Sequence, residues 1–179
     1  MKKTILFMAV FLSLVWFTGR VYSQERPDVQ RLLSTNKCPG CDLRGANLSR
    51  AKLAGADLRN ANLSDSNLGG ADLTNANLTK ANLQGSYLGK VTLNRANLTE
   101  ANLREVNLFE ADLSSGNFTK ANLSQSNLNR SNLNGGIFTE TDLRNSFLLE
   151  ANLGQANLSS SNLCGAFLPN GRRSLQGCP

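Results

Sequence analysis

From residue 43 to residue 168 every fifth residue is Leu or Phe without interruption, and this regularity limits what the chain can fold into. The series has 26 centres, Leu throughout except at Phe118 and Phe138. Two residues before each centre sits a small residue: Ala in 14 cases, otherwise mostly Ser or Gly, with Cys41, Val91, Val106 and Thr141 the larger exceptions. Asn or Asp directly precedes 20 of the centres, and the two residues that follow each centre vary. A period of five matches neither the 3.6 of a helix nor the 2 of a strand, so no single regular element can hold all the leucines on one face. A short fixed repeat means stacked units, each burying its apolar face only when a neighbour covers it. The small residue then points inward beside the Leu, which gives a narrow, close-packed interior with no room for a ligand.

The repeat is similar to the A-(D/N)-L-x-x consensus of the pentapeptide repeat family, over about 130 of the 179 residues. The resemblance implies an all-β fold, a right-handed quadrilateral β-helix solenoid with one pentapeptide per side and four per coil. The charges support a 20-residue coil independently. Lys80, Glu100, Lys120 and Glu140 alternate in sign at that spacing, and so do Lys90, Glu110, Arg130 and Glu150. Residues 20 apart would be vertical neighbours at roughly 4.7–4.9 Å, where opposite charges attract. Phe118 and Phe138 would stack inside. About six and a half coils are expected, a rod of roughly 30 Å.

Met1 to Ser23 reads as a secretory signal peptide: Lys2 and Lys3, an apolar run from Ile5 to Phe17, and a cleavage site after Val21-Tyr22-Ser23. The other reading is an uncleaved anchor, although the run is shorter than the ~20 residues of a spanning helix. The chain is thus expected to be exported, to the periplasm, thylakoid lumen or extracellular space, with no membrane association once the leader is removed. Loss of Lys2, Lys3 and Arg20 leaves 16 basic against 13 acidic residues, a net charge of +3. That balance is too weak and scattered to argue for nucleic acid. Residues 24–40 are expected to form an N-terminal helical cap and linker. Pro27 stands in the first turn of a helix over Glu25 to Asn36, with Val29, Leu32 and Leu33 on one face. The solenoid is expected over 41–169 and a closing tail over 170–179, since an uncapped end exposes unpaired edges.

Four cysteines in an exported chain suggest two disulfides, with three possible connectivities. In the rod that the resemblance implies, Cys38 and Cys41 lie at one end and Cys164 and Cys178 at the other. A disulfide needs Cα atoms within about 7 Å, so only 38–41 with 164–178 closes within one molecule. The same distance excludes a four-cysteine zinc site. A thiol-redox role for the Cys38/Cys41 pair is the competing reading, but no thioredoxin-like βαβ pattern surrounds it.

No nucleophile–base pair, convergent carboxylates or metal-ligand spacing is visible, and the chain has no His. No catalytic residue, metal or cofactor is therefore expected, and the chain reads as a non-enzyme. Some proteins of the family mimic DNA and act on gyrase. That role needs a strongly acidic face and a cytoplasmic setting, which the leader and positive balance oppose. The reading the residues favour is a binding or scaffold module that docks an unidentified protein, or a second copy of itself, through one face. On the side centred on Leu48, Leu68, Leu88, Leu108, Leu128, Leu148 and Leu168, the outward slots carry Tyr87, Phe109, Phe147, Leu149 and Phe167. The other three sides carry only Ile137 in equivalent slots. Phe147, Leu149 and Phe167 should touch, either as a docking patch or beneath the returning tail.

Overall fold

The computed structural model describes residues 26–179, so the expected signal peptide and its cleavage site lie outside the described residues. Within them the backbone follows one pattern. The residue before each centre pairs in parallel with the residue 20 further on, without a gap from Lys37↔Asp57 to Phe147↔Phe167. Each bridge uses two bonds of opposite sense. In Asn97↔Asn117, Leu98 donates its N–H to the Asn117 carbonyl at 2.7 Å, and Asn117 donates its N–H to the Ala96 carbonyl at 2.9 Å.

Between bridges the chain turns a corner. Ala101 N–H donates to Leu98 O at 3.0 Å, closing a four-residue turn whose third residue, Glu100, has φ of 58°. That sign at the third position is the mark of a type II turn, which favours Gly or Asn there. The solenoid nonetheless places Lys, Arg or Glu at many of these corners, among them Lys80, Arg95 and Glu105. A left-handed conformation costs roughly 1–2 kcal/mol for a residue with a Cβ. The corner is held by the bonds on either side of it. Four such turns fit between bridged residues, so the coil is four-sided.

The centres fill the interior. From Leu43 to Leu148 each is essentially inaccessible, and the rings of Phe118 and Phe138 stack with centroids 4.9 Å apart. These two rings have their own demand. A methyl group added at Gly116 would meet Phe118 Cε2 at 2.8 Å, and one at Gly136 would meet Phe138 Cε2 at 2.7 Å. The two Phe centres are therefore paired with the two Gly in the inward slot. Inward serines are accommodated by bonding: Ser66, Ser126 and Ser131 each donate their hydroxyl to the carbonyl three residues back, at 2.6 Å.

Helix α1, Pro27–Thr35, closes the N-terminal end. Leu32 is fully buried and Val29 packs against the core, but Leu33 is 58% exposed, so the expected three-residue apolar face is in fact two residues wide. Asn36 ends the helix in the left-handed conformation, its N–H bonded to Leu32 O at 2.8 Å. The ladder starts at once, at Lys37, inside the segment expected to be linker. At the other end the tail doubles back on the last coil. Phe167 and Arg173 form an antiparallel bridge, and Leu163 and Gly165 donate to Gln176 O and Ser174 O at 3.0 and 2.9 Å. The tail pairs by backbone with the sides of Leu163 and Leu168 and reaches the Leu158 carbonyl through Gln176 Nε2 at 2.8 Å, while Leu153, Leu158 and Leu168 stay half-buried.

Candidate functional site

The cysteines pair at the two ends, Cys38 with Cys41 at a Cα separation of 5.3 Å and Cys164 with Cys178 at 4.9 Å. Asp28 lies close enough to Cys38 and Cys41 for the three donor atoms to fall within 4.8 Å of one another. With the two sulfurs bonded to each other neither is a thiolate, the form that binds metals. The Asp28 carboxylate instead accepts the Asp42 N–H at 2.9 Å and ties α1 to the first coil.

The Asn/Asp slot has a role beyond bonding along the stack. The coil-to-coil ladder and the corner turn together leave one amide per pentapeptide over, that of the residue after the centre. The Asn or Asp two residues earlier accepts it, as Asn97 Oδ1 does from Thr99 N–H at 3.1 Å. Stack bonding is present as well, for example Asn102 Nδ2 to Asn82 Oδ1 at 3.0 Å. Where the slot holds Asp two residues before Arg, the pair closes on itself. The Arg44 hydrogen bonds lower the Asp42 pKa to about 2, and Arg59 and Thr74 lower those of Asp57 and Asp72. At Asp142 burial pushes upward, but the bonds from Arg144 outweigh it and the net shift is downward.

The five outward apolar residues of the singled-out side are all where the register puts them, yet they form two groups. In the C-terminal group the Phe147 and Phe167 rings stack at 5.5 Å, 3° from parallel. Phe147 is 42% exposed and Phe167 36%, so the tail, which runs along the end of the coil, leaves them open. Beside them Phe109, Asn129, Arg130, Leu149 and Glu150 line a depression of about 330 Å³. The Arg130 guanidinium stands 5.9 Å over the Phe109 ring. This group also manages its amides without the slot's Asn: Leu149 N–H goes to Asn129 Oδ1 of the preceding coil at 2.8 Å, and Pro169 has no N–H to satisfy.

Tyr87 stands apart, since Asn107 and Asn127 fill the two slots between it and Phe147. Its ring lies across the side, over Gly69 and Gly89. A methyl group at Gly69 would sit 2.7 Å from Tyr87 Cε1, and one at Gly89 would overlap the hydroxyl. Around it Ser49, Arg50, Asn67, Gly70 and Lys90 complete a depression of about 450 Å³. Sequence reasoning singled out Tyr87 and missed these companions. The available signal was two glycines in successive after-centre slots, Gly69 and Gly89, flanking the one Tyr of the repeat region.

Comparison with known proteins agrees with this architecture. The profile "Pentapeptide repeats" matches residues 41–80 and 137–170 in 8 copies, and "Pentapeptide repeat region" matches 64–138. The chain belongs to the pentapeptide repeat family. No curated protein aligns with it at a significant level. Among solved structures of the family, whose members form right-handed quadrilateral β-helices, a pentapeptide repeat protein of the Arabidopsis thaliana thylakoid lumen is 22% identical, with a TM-score of 0.38. That match covers 56% of this chain and 66% of the other. One from Nostoc PCC 7120 is 35% identical over the same shares, with a TM-score of 0.37. QnrB1, a plasmid-mediated fluoroquinolone resistance protein, is 18% identical over 79% of this chain and 80% of its own, with a TM-score of 0.36. No helix among the described residues of this pentapeptide repeat protein is long and apolar enough to cross a membrane.

Proposed function

We propose that this is an exported, non-enzymatic pentapeptide-repeat binding module that docks a protein partner through the C-terminal half of one side. The observation that carries the proposal is the stacked Phe147–Phe167 pair, which stays open to solvent with Leu149 after the tail has folded back. Aromatic residues are favoured anchors at protein interfaces, and the polar rim of Arg130 and Glu150 gives the patch a charged border. The two disulfides fit an oxidising compartment.

Burial of Cys38 and Cys41 speaks against the thiol-redox alternative, since no partner thiol can reach their sulfurs. The gyrase-directed role known in the family finds no acidic face among the described residues. Opposite charges pair along the columns, Lys80 with Glu100 at 3.5 Å and Lys90 with Glu110 at 3.3 Å.

The double variant Phe147→Ser, Leu149→Asn tests the docking face. It should keep the thermal midpoint and lose self-association in sedimentation velocity, or lose partner capture from the exported fraction. A lowered midpoint with association untouched would make the patch an internal packing contact and remove the basis of this reading.

A further inference from the structure

The corner column beside Tyr87 reads Arg50, Gly70, Lys90, Glu110, Arg130, Glu150. Sign alternates from Lys90 to Glu150, and the one uncharged position is Gly70. Lys90 pairs with Glu110 at 3.3 Å, and Arg130 pairs with Glu110 at 4.0 Å and with Glu150 at 2.9 Å. At Gly70, between Arg50 and Lys90, the negative member is missing. Arg50 leans toward the gap, its Cγ 3.6 Å from where a Gly70 Cβ would stand, and it makes no ion pair among the described residues. Gly70 has φ of 65°, close to the 55° and 58° of Glu110 and Glu150, so an acidic side chain would fit this corner.

Next to the vacant anionic position lies Tyr87, 49% exposed, its ring over Gly69 and Gly89. The arrangement costs the coil something. Tyr87 occupies the slot whose Asn would accept the Gly89 amide, and any side chain at Gly69 or Gly89 would tilt the ring away. The rim offers hydrogen-bonding groups: Asn67 uses Oδ1 for the Gly69 N–H at 3.0 Å and keeps its amide hydrogens, and Ser49 donates to Asn47 at 2.8 Å and keeps its oxygen lone pairs.

We propose that this depression binds a uronic acid unit of a polysaccharide, its pyranose ring stacked on Tyr87 and its carboxylate seated at Gly70 between Arg50 and Lys90. The carboxylate completes the alternating charge column. The C–H edge of the sugar meets the negative face of the ring, and the sugar hydroxyls meet Asn67 and Ser49. A single aromatic platform bounded by Asn67 and Asn107 suits one saccharide ring. A single-stranded nucleic acid would use a succession of stacking residues along the strand. The site lies three coils from Phe147 on the same side of the rod.

Trigalacturonate is the probe, titrated calorimetrically into the mature chain from Gln24 onward, with ¹³C-labelled tyrosine followed by NMR. Tyr22 falls in the expected signal peptide, so Tyr87 supplies the one tyrosine signal of that mature chain. Binding should shift one tyrosine ring signal, weaken with added salt, and be absent for neutral maltotriose. Tyr87→Ala should abolish it, and Arg50→Gln should weaken it roughly tenfold or more. Gly70→Glu supplies the missing carboxylate from the chain itself and should keep the thermal midpoint while losing trigalacturonate binding. Galacturonate binding as tightly as the trimer would assign the site to the free sugar acid, and tighter binding of the trimer to the polymer; either supports the uronate site. The proposal is overturned by no binding at millimolar probe, by equal binding of maltotriose, by tighter binding of oligothymidylate, or by Gly70→Glu binding as the parent does.

Discussion

Asn97 shows what the most repetitive polar slot of this chain does. Its Oδ1 takes the Thr99 amide at 3.1 Å and the Thr99 hydroxyl at 2.7 Å, two donors that the coil-to-coil ladder cannot reach. The need is for an acceptor at a fixed offset, which explains why Asp serves equally at Asp42, Asp57, Asp72, Asp112 and Asp142. Asn97→Asp should therefore leave stability nearly unchanged. Asn97→Ala strands a half-buried amide and should cost on the order of 1–2 kcal/mol. Chemical denaturation of both variants checks the pair, and equal losses for Ala and Asp would contradict the capping role. The exceptions to the slot carry information of the same kind. Phe147 and Phe167 have their amides handled elsewhere, whereas Tyr87 leaves Gly89 without that acceptor.

The two end elements solve one problem by different means. Helix α1 sets Leu32 over the first coil and anchors Asp28 to the Asp42 amide. The tail instead adds an antiparallel strand to two of the four sides and is fastened by Cys164–Cys178. Breaking that bond with Cys178→Ser opens a 15-residue loop and should cost about 3 kcal/mol. Hydrogen exchange should show the loss first at Leu163, Gly165 and Ser174, whose amides bond within this hairpin. Unchanged protection there would mean that the tail holds without its staple. Much of this was legible beforehand. The five-residue period pointed to the solenoid, the family resemblance implied the 20-residue coil with the charge alternation in support, and the length of that rod separated the cysteines into end pairs. Leu33 was misjudged because a helix face of three apolar residues looks the same whether or not the coil beneath is wide enough to cover it. The division of the aromatic face was hidden for a related reason. Where the Tyr87 ring lies depends on what Gly69 and Gly89 leave vacant on neighbouring coils, and a register assigns slots without saying which way a side chain leans.

At the scale of the whole molecule, the backbone bridges that join one coil to the next are between vertical neighbours 20 residues apart, from Lys37↔Asp57 to Phe147↔Phe167. Stability in such an array is a sum over adjacent coils, with nothing binding one end to the other. A tension applied along the long axis would then peel the solenoid like a spring drawn out turn by turn. Each freed turn yields 20 residues of chain, about 65–70 Å at full stretch, in exchange for roughly 4.8 Å of rod. Optical-trap extension should show a ladder of equal steps near 60–65 Å. The 14 residues of sequence separation between Cys164 and Cys178 stay hidden until a reductant releases them. A single cooperative rip would mean that the coils share their load. The Cys164–Cys178 bond would then act as a mechanical stop, ending the unravelling at a length set by covalent chemistry.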